Sequence, residues 1–256
     1  MQLGLEGKVA LITGASRGIG RATALTLADE GMDLVLASRG REALEQVTES
    51  VLERGRRAVA VPADVGIQAD RERLVSKALE EFERIDCLVS NATSLDPYYE
   101  DAPQSALWDG HYHVDLLGAV RLTELIAPGM RERRSGSIVY ISSIAGMTGL
   151  GFDHAYVGIK AALIATGKTM AVEFAPDGVR VNVVAPGGIY EPGSDWDRMR
   201  RDYPDRVAAI EASIPMGRFG TPDEVARCIA FLLSDASNWV VGHTLVVDGG
   251  QFRGIR

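Results

Sequence analysis

Thr13-Gly14-Ala15-Ser16-Arg17-Gly18-Ile19-Gly20 decides how the rest of the chain is read. It follows a β-branched and aliphatic run of strand length at 9–13 and opens a stretch of helical period at 18–30. Glycine at 14, 18 and 20 permits a tight turn and lets backbone N–H groups approach a pyrophosphate. The start of the following helix adds a dipole that favours anions. Gly14, Ser16, Arg17, Gly18, Ile19 and Gly20 are therefore read as a nucleotide-phosphate turn. The same residues also spell G-x-S-x-G, the nucleophile elbow of serine hydrolases, with Asp235 and His243 following in the matching order. That architecture takes part of its oxyanion hole from a loop after an earlier strand. Only one strand can precede Ser16, so the hydrolase reading fails.

Outward from the turn, short apolar runs alternate with amphipathic stretches. Strands are expected at 9–13, 34–37, 58–62, 87–90, 137–141, 179–184 and 244–247. Most are continuously apolar, as strands covered on both faces must be. Helices are expected at 18–30, 41–54, 71–83, 104–132, 155–174 and 222–233. Thr221-Pro222-Asp223-Glu224 marks the last start, with a capping hydroxyl, proline in the first position and acids in the first turn. This alternation predicts an α/β fold, a doubly wound Rossmann domain with a seven-stranded parallel sheet and helices on both faces. Residues 1–256 read as one domain. The long Gly-, Pro- and charge-rich stretch at 187–216, holding Trp196, Met199 and Tyr203, reads as a lid over a site.

Composition narrows the function. A hydrophobic share of 46% supplies a large core, and a net charge of -8 argues against a nucleic-acid partner. The two cysteines, Cys87 and Cys228, lie in apolar surroundings without metal-ligand spacing. They read as buried small hydrophobes in a reducing compartment. No leader pattern opens the chain, and no apolar run approaches the roughly 20 residues of a membrane span. A soluble, cytoplasmic protein with no membrane partner is the expectation. His111 and His113, on opposite sides of the long helix, lack a third ligand, so no metal is expected.

The second strand ends at Ala37-Ser38-Arg39. An acidic side chain here would bind the ribose 2′-hydroxyl of NAD, whereas a 2′-phosphate needs a cation. Ser38 and Arg39, with Arg17 approaching from the glycine turn, favour NADPH/NADP over NAD. Farther on, Tyr156 and Lys160 are spaced i, i+4 on a predicted helix and share one face. A free phenol titrates near ~10, and an ammonium beside it favours the tyrosinate form. Ser143 follows the fifth predicted strand, at the edge where open α/β sheets build their sites, and its hydroxyl can hold a carbonyl oxygen.

Together with these residues, Ala63-Asp64-Val65, Ser90-Asn91-Ala92, Ile141-Ser142-Ser143, Arg180-Val181-Asn182, Pro186-Gly187 and Val247-Asp248-Gly249-Gly250 resemble the short-chain dehydrogenase/reductase family over essentially the whole length. Within that family the chain resembles 3-oxoacyl-carrier-protein reductases and related ketoreductases, particularly from Ile214-Pro215-Met216-Gly217-Arg218 to the C-terminus. The resemblance implies hydride transfer from a nicotinamide to a small-molecule carbonyl. Tyr156 would protonate the oxygen, Ser143 would hold it, and Lys160 would bind the nicotinamide ribose and make Tyr156 a better acid. Asp64 and Val65 would contact adenine; Asn91 and Ala92 would lie beside the cofactor; Pro186, Gly187 and Ile189 would meet the nicotinamide end. The resemblance also implies a homotetramer built on the two long helices and the last strand.

Three positions depart from the family pattern. Asp115 stands where an asparagine usually orders a proton-relay water, so a carboxylate near Lys160 joins the catalytic set and changes the relay. Thr93 replaces a glycine, placing a β-branched residue near the nicotinamide. Tyr190-Glu191-Pro192 replaces a threonine that usually meets the cofactor. The reading is an NADPH-dependent reductase of a ketone or 3-oxoacyl-type carbonyl. An NAD-linked alcohol or sugar dehydrogenase and a catalytically impaired nucleotide-binding scaffold stand as alternatives.

Overall fold

The computed structural model describes residues 3–94, 102–149 and 153–254. Seven strands form one parallel sheet: β1 (Val9–Thr13), β2 (Asp33–Ser38), β3 (Ala58–Pro62), β4 (Cys87–Ser90), β5 (Gly136–Ile141), β6 (Val179–Pro186) and β7 (Thr244–Val247). Their order is β3-β2-β1-β4-β5-β6-β7. The chain winds outward from β1 in one direction and from β4 in the other. Ile12 sits opposite Leu36 on one side and Val89 on the other, so the sheet reverses its build direction at β1/β4. The crevice beyond the strand ends at such a switch point is where ligands enter open α/β sheets.

Strand residues alternate between two apolar layers, as the period of two requires. Leu11, Val35, Leu88, Ile138 and Tyr140 face one layer, packed on α3 (Gln68–Phe82), α5 (Gly118–Glu132) and α6 (His154–Phe174). Ala10, Ile12, Leu36, Val89 and Val139 face the other, covered by α1 (Gly18–Asp29), α2 (Arg41–Leu52) and α9 (Pro222–Leu233). Thr221 caps α9 in the expected way: its hydroxyl accepts the Glu224 N–H at 3.3 Å, and the Glu224 carboxylate accepts the Thr221 N–H at 2.8 Å.

Two regions differ from the sequence expectation. The stretch 104–132 is not one regular helix. It divides into α4 (Gln104–Gly110), a π-helical segment (His111–Leu117) and α5. His111 and Asp115 lie in the π-helical segment and are buried together. Within 187–216 the chain forms α7 (Asp195–Asp202) and α8 (Pro204–Ser213). Met199, Val207, Ile214 and Phe219 make a small apolar core of their own there.

Candidate active site

Beyond the ends of β1 to β4 lies a cavity of about 480 Å³. Gly14, Ser16, Arg17, Gly18 and Ile19 form one wall; Ser38 and Arg39 continue it from β2. Asp64 and Val65 follow β3, Asn91 and Ala92 follow β4, and Ile189 and Glu191 close the far side. Gly14 adopts φ 64°, a left-handed conformation that glycine takes without strain. Gly20 does not reach the cavity; it packs beneath the turn, where a Cβ would run into the Gly14 carbonyl. The Asn91 amide donates to the carbonyls of Thr13 at 3.0 Å and Gly14 at 3.2 Å. Thr13 Oγ1 accepts the N–H groups of Asn91 and Ala92 at 3.0 and 3.1 Å. Asn91 thus anchors the glycine turn to β4 as well as lining the cavity.

The outer contacts are equally local. Ser38 donates its hydroxyl to the Gly40 carbonyl at 3.0 Å, and Arg39 lies exposed at the rim. The Asp64 carboxylate accepts the Gly66 N–H at 2.8 Å, which shapes the turn after β3. The glycine cradle and the cavity fit a dinucleotide. One feature opposes it: Glu191 Oε2 accepts the Gly18 N–H at 2.8 Å, at the helix start where a phosphate would bind. Arg21 lies 3.7 Å from the other oxygen of that carboxylate.

A second cavity, of about 530 Å³, adjoins the first. Ile19, Asn91, Thr93, Ile189 and Trp196 line both. Ser143, Tyr156, Lys160, Pro186 and Gly187 line the second alone, so all five meet in one chamber. Ser143 precedes a short 3-10 turn (Ile144–Met147), and its Oγ accepts the Ala145 N–H at 3.1 Å. Ile141, Ile144 and Ile210 add apolar walls, and Arg206 from α8 adds a second cation to the lining. His154 is exposed next to Trp108, outside both cavity linings.

Lys160 is 3% exposed and donates to the Ile141 carbonyl at 3.0 Å. Its ammonium lies 5.4 Å from the centre of the Tyr156 ring and 3.1 Å from Asp115 Oδ2. Burial alone would discharge the lysine, but the Asp115 carboxylate outweighs it and holds Lys160 above the ordinary lysine range. Burial likewise opposes the charge on Asp115. The Lys160 ammonium, with hydrogen bonds from His111 and Thr93, reverses that and holds the carboxyl at about 2.

Sequence reading missed several participants. Thr93 brings more than bulk: its hydroxyl donates to Asp115 Oδ2 at 2.7 Å. The Ser94 N–H donates to Asp115 Oδ1 at 2.8 Å. His111 and Asp153, each buried, stand behind Asp115. Asp153 carried a legible signal, an acid just ahead of a helix. Nothing in the sequence places His111 at 3.1 Å from it.

Residues 14–251 match the family model described as enoyl-(acyl carrier protein) reductase. The chain is 37% identical over 254 residues to a 3-oxoacyl-[acyl-carrier-protein] reductase of Thermotoga maritima, covering 96% of this chain and 98% of that one. It is 34% identical over 250 residues to the Escherichia coli protein of the same name, with 98% and 99% covered. The solved L-sorbose reductase from Gluconobacter frateurii, complexed with NADPH and L-sorbose, superposes with a TM-score of 0.90 at 33% identity over 100% of both chains. An NAD+-bound xylitol dehydrogenase superposes with a TM-score of 0.89 at 32% identity, covering 96% of this chain and 99% of that one.

Proposed function

This chain belongs to the short-chain dehydrogenase/reductase family and is an NAD(P)-dependent oxidoreductase; from that premise we propose that it reduces a ketone or 3-oxoacyl-type carbonyl with NADPH. One observation carries the reading. Tyr156, Lys160 and Ser143 line a chamber that shares a wall with the glycine-cradled cavity. In this reading the backbone at Gly14, Ser16, Gly18 and Ile19, with Gly20 beneath, holds the pyrophosphate. Arg39, Ser38 and Arg17 bind the 2′-phosphate, which supports NADPH over NADH, as does the lack of an acid at 37–39. Asp64 and Val65 border adenine. Asn91, Ala92, Pro186, Gly187 and Ile189 flank the nicotinamide, which when bound supplies the hydride.

The chain's own groups manage the proton. Ser143 donates a hydrogen bond to the carbonyl oxygen, and Tyr156 delivers its phenolic proton to that oxygen as negative charge develops there. Lys160 supplies the positive field beside Tyr156 and binds the ribose. Asp115 keeps Lys160 charged and in place. Cofactor binds first, because the substrate chamber takes one wall from the cofactor cavity. The segment 187–216 serves as the lid, and its isoleucines with Ile141 and Ile144 favour a substrate with a hydrocarbon portion.

The test is an NADPH-oxidation screen over keto esters, diketones, quinones, steroids and sugars, paired with fluorescence titration of both cofactors. Tighter binding of NADH than NADPH would sink the Arg39 argument. Tyr156→Phe is expected to lower kcat by roughly 100- to 10,000-fold while cofactor still binds; unchanged turnover refutes the mechanism. The sugar substrate of one structural neighbour and the NAD+ of another favour a second reading, an NAD-linked alcohol or sugar dehydrogenase. A wild-type protein that binds cofactor but reduces nothing in the screen would instead be the impaired scaffold.

The same reading includes a homotetramer in the cytoplasm. Among the described residues no helix is long and apolar enough to cross a membrane. Both cysteines are free, and burial pushes the Cys87 thiol up to about 12, which leaves it a small hydrophobe at neutral pH. The tetramer surface is the outer edge of β7 with the long helices α5 and α6. Leu125 and Val172 are exposed on those helices at 42% and 69%.

A further inference from the structure

Four ionisable side chains lie in line behind the chamber: Lys160, Asp115, His111 and Asp153, exposed by 3%, 2%, 0% and 1%. Lys160 Nζ is 3.1 Å from Asp115 Oδ2, and Asp115 Oδ1 is 3.5 Å from His111 Nδ1. His111 Nε2 is 3.1 Å from Asp153 Oδ2. The other oxygen of Asp153 accepts the N–H groups of Ala155 at 2.9 Å and Tyr156 at 3.2 Å, capping α6. The line therefore closes into a ring. It leaves α6 at Lys160, passes through Asp115 and His111, and returns to the first turn of the same helix at Asp153. The edge of the His111 ring also packs against Tyr156, with centroids 5.4 Å apart.

Charge decides how such a ring is tolerated. An isolated buried ion is costly, and buried ions persist when paired and hydrogen-bonded. With a neutral imidazole, two carboxylates would face a single ammonium. With an imidazolium the signs alternate along the line and cancel. Every neighbour of the imidazole bears on this choice. From its own segment Asp115 faces Nδ1; from the loop after β4 the Ser94 hydroxyl lies 2.9 Å from the same nitrogen. From α6 come Asp153, the Tyr156 ring and, through Asp115, Lys160. Only an imidazolium can donate toward both carboxylates. Burial opposes its charge, but the two aspartates outweigh burial and raise His111 above the ordinary histidine range.

We propose that His111 and Asp153 are positioning residues for the reduction: a ring of alternating charge, with His111 as the imidazolium, fastens the start of α6 and sets Tyr156 against Lys160. The proposal rests on the roles given to Tyr156 and Lys160 above. His111 lines neither cavity, so it acts only through its neighbours.

Two measurements test it. Long-range ¹H–¹⁵N ring correlations of the wild-type protein, with His111 assigned by its loss in His111→Gln, are expected to show both ring nitrogens protonated at pH 8. A neutral His111 ring at pH 7 overturns the proposal. In steady-state kinetics, His111→Gln should lower kcat by about 10- to 100-fold through misplacement of Tyr156, with NADPH affinity unchanged. Asp153→Asn keeps a capping oxygen but removes a charge. The double variant His111→Gln/Asp153→Asn is again balanced in charge and should recover most of the lost kcat. A double variant no faster than the slower single one refutes the ring. If His111→Gln does not fold, the ring spectra, with His111 then assigned by its through-space contacts to Tyr156, decide alone. Retained turnover in Tyr156→Phe would refute the catalytic reading without touching those spectra.

Discussion

A carboxylate 2% exposed, such as Asp115, survives only where neighbours replace the water it has lost. Lys160, Thr93, Ser94 and His111 do so here, and the consequence appears in acid. The folded carboxyl titrates at about 2, against ~3.9 in an unfolded chain. Because the folded value is the lower one, Asp115 stabilises the fold fully above pH ~4 and loses that contribution as pH falls toward 2, roughly 2–3 kcal/mol in all. Urea unfolding of wild type and Asp115→Asn from pH 7 to 2.5 should therefore converge at the acid end, and curves that stay parallel would contradict the pairing. At this scale Tyr156 and Lys160 were legible because both lie on one helix at i, i+4. The pairing of His111 with Asp153 was not, because the two meet across 42 positions of sequence and a π-helical turn that no periodicity announces.

At the scale of elements, α1 opens without a side-chain cap or an acid in its first turn, and Glu191 fills that role from a distant segment. A pyrophosphate needs the same Gly18 donor and repels the same carboxylate, so the two compete for the helix start. Glu191→Gln is expected to tighten NADPH about ten-fold, corresponding to roughly 1.4 kcal/mol, in a fluorescence titration. Equal or weaker binding would show that the carboxylate does not obstruct the site. The strands and the helices on the sheet were readable because one apolar face or two must be buried, and ends shifted by a few residues, as at Gln68 and Pro186. Helices α7 and α8 lack a clear apolar period in the sequence. Asp195–Asp202 is dominated by charge, and its burial depends on Phe219 and Trp196, which only the folded chain brings together. Pro204-Asp205 did offer the same start signal as Pro222-Asp223.

At the scale of the molecule, the sheet ends at β7, which among the described residues pairs only with β6. An edge strand with an open side invites a partner, and Trp239 just ahead of it is 98% exposed. Light scattering should give about four times the chain mass of 27.5 kDa, and Val172→Glu should shift it to a smaller species. A monomer at micromolar concentration would remove the assembly from the reading. The doubly wound parallel sheet followed from strand–helix alternation, whereas the order of its strands did not. The meeting of two cavities did not, because Trp196 reaches both from a segment far along the chain. Of the three tryptophans, Trp108 lines neither cavity and Trp239 faces solvent. Indole emission from position 196 should therefore dim by energy transfer when a reduced nicotinamide arrives, and Trp196→Phe should abolish most of that dimming while Trp239→Phe leaves it. The protein carries its own optical gauge, and the arrival of the reduced nicotinamide can be timed by stopped-flow without attaching a dye.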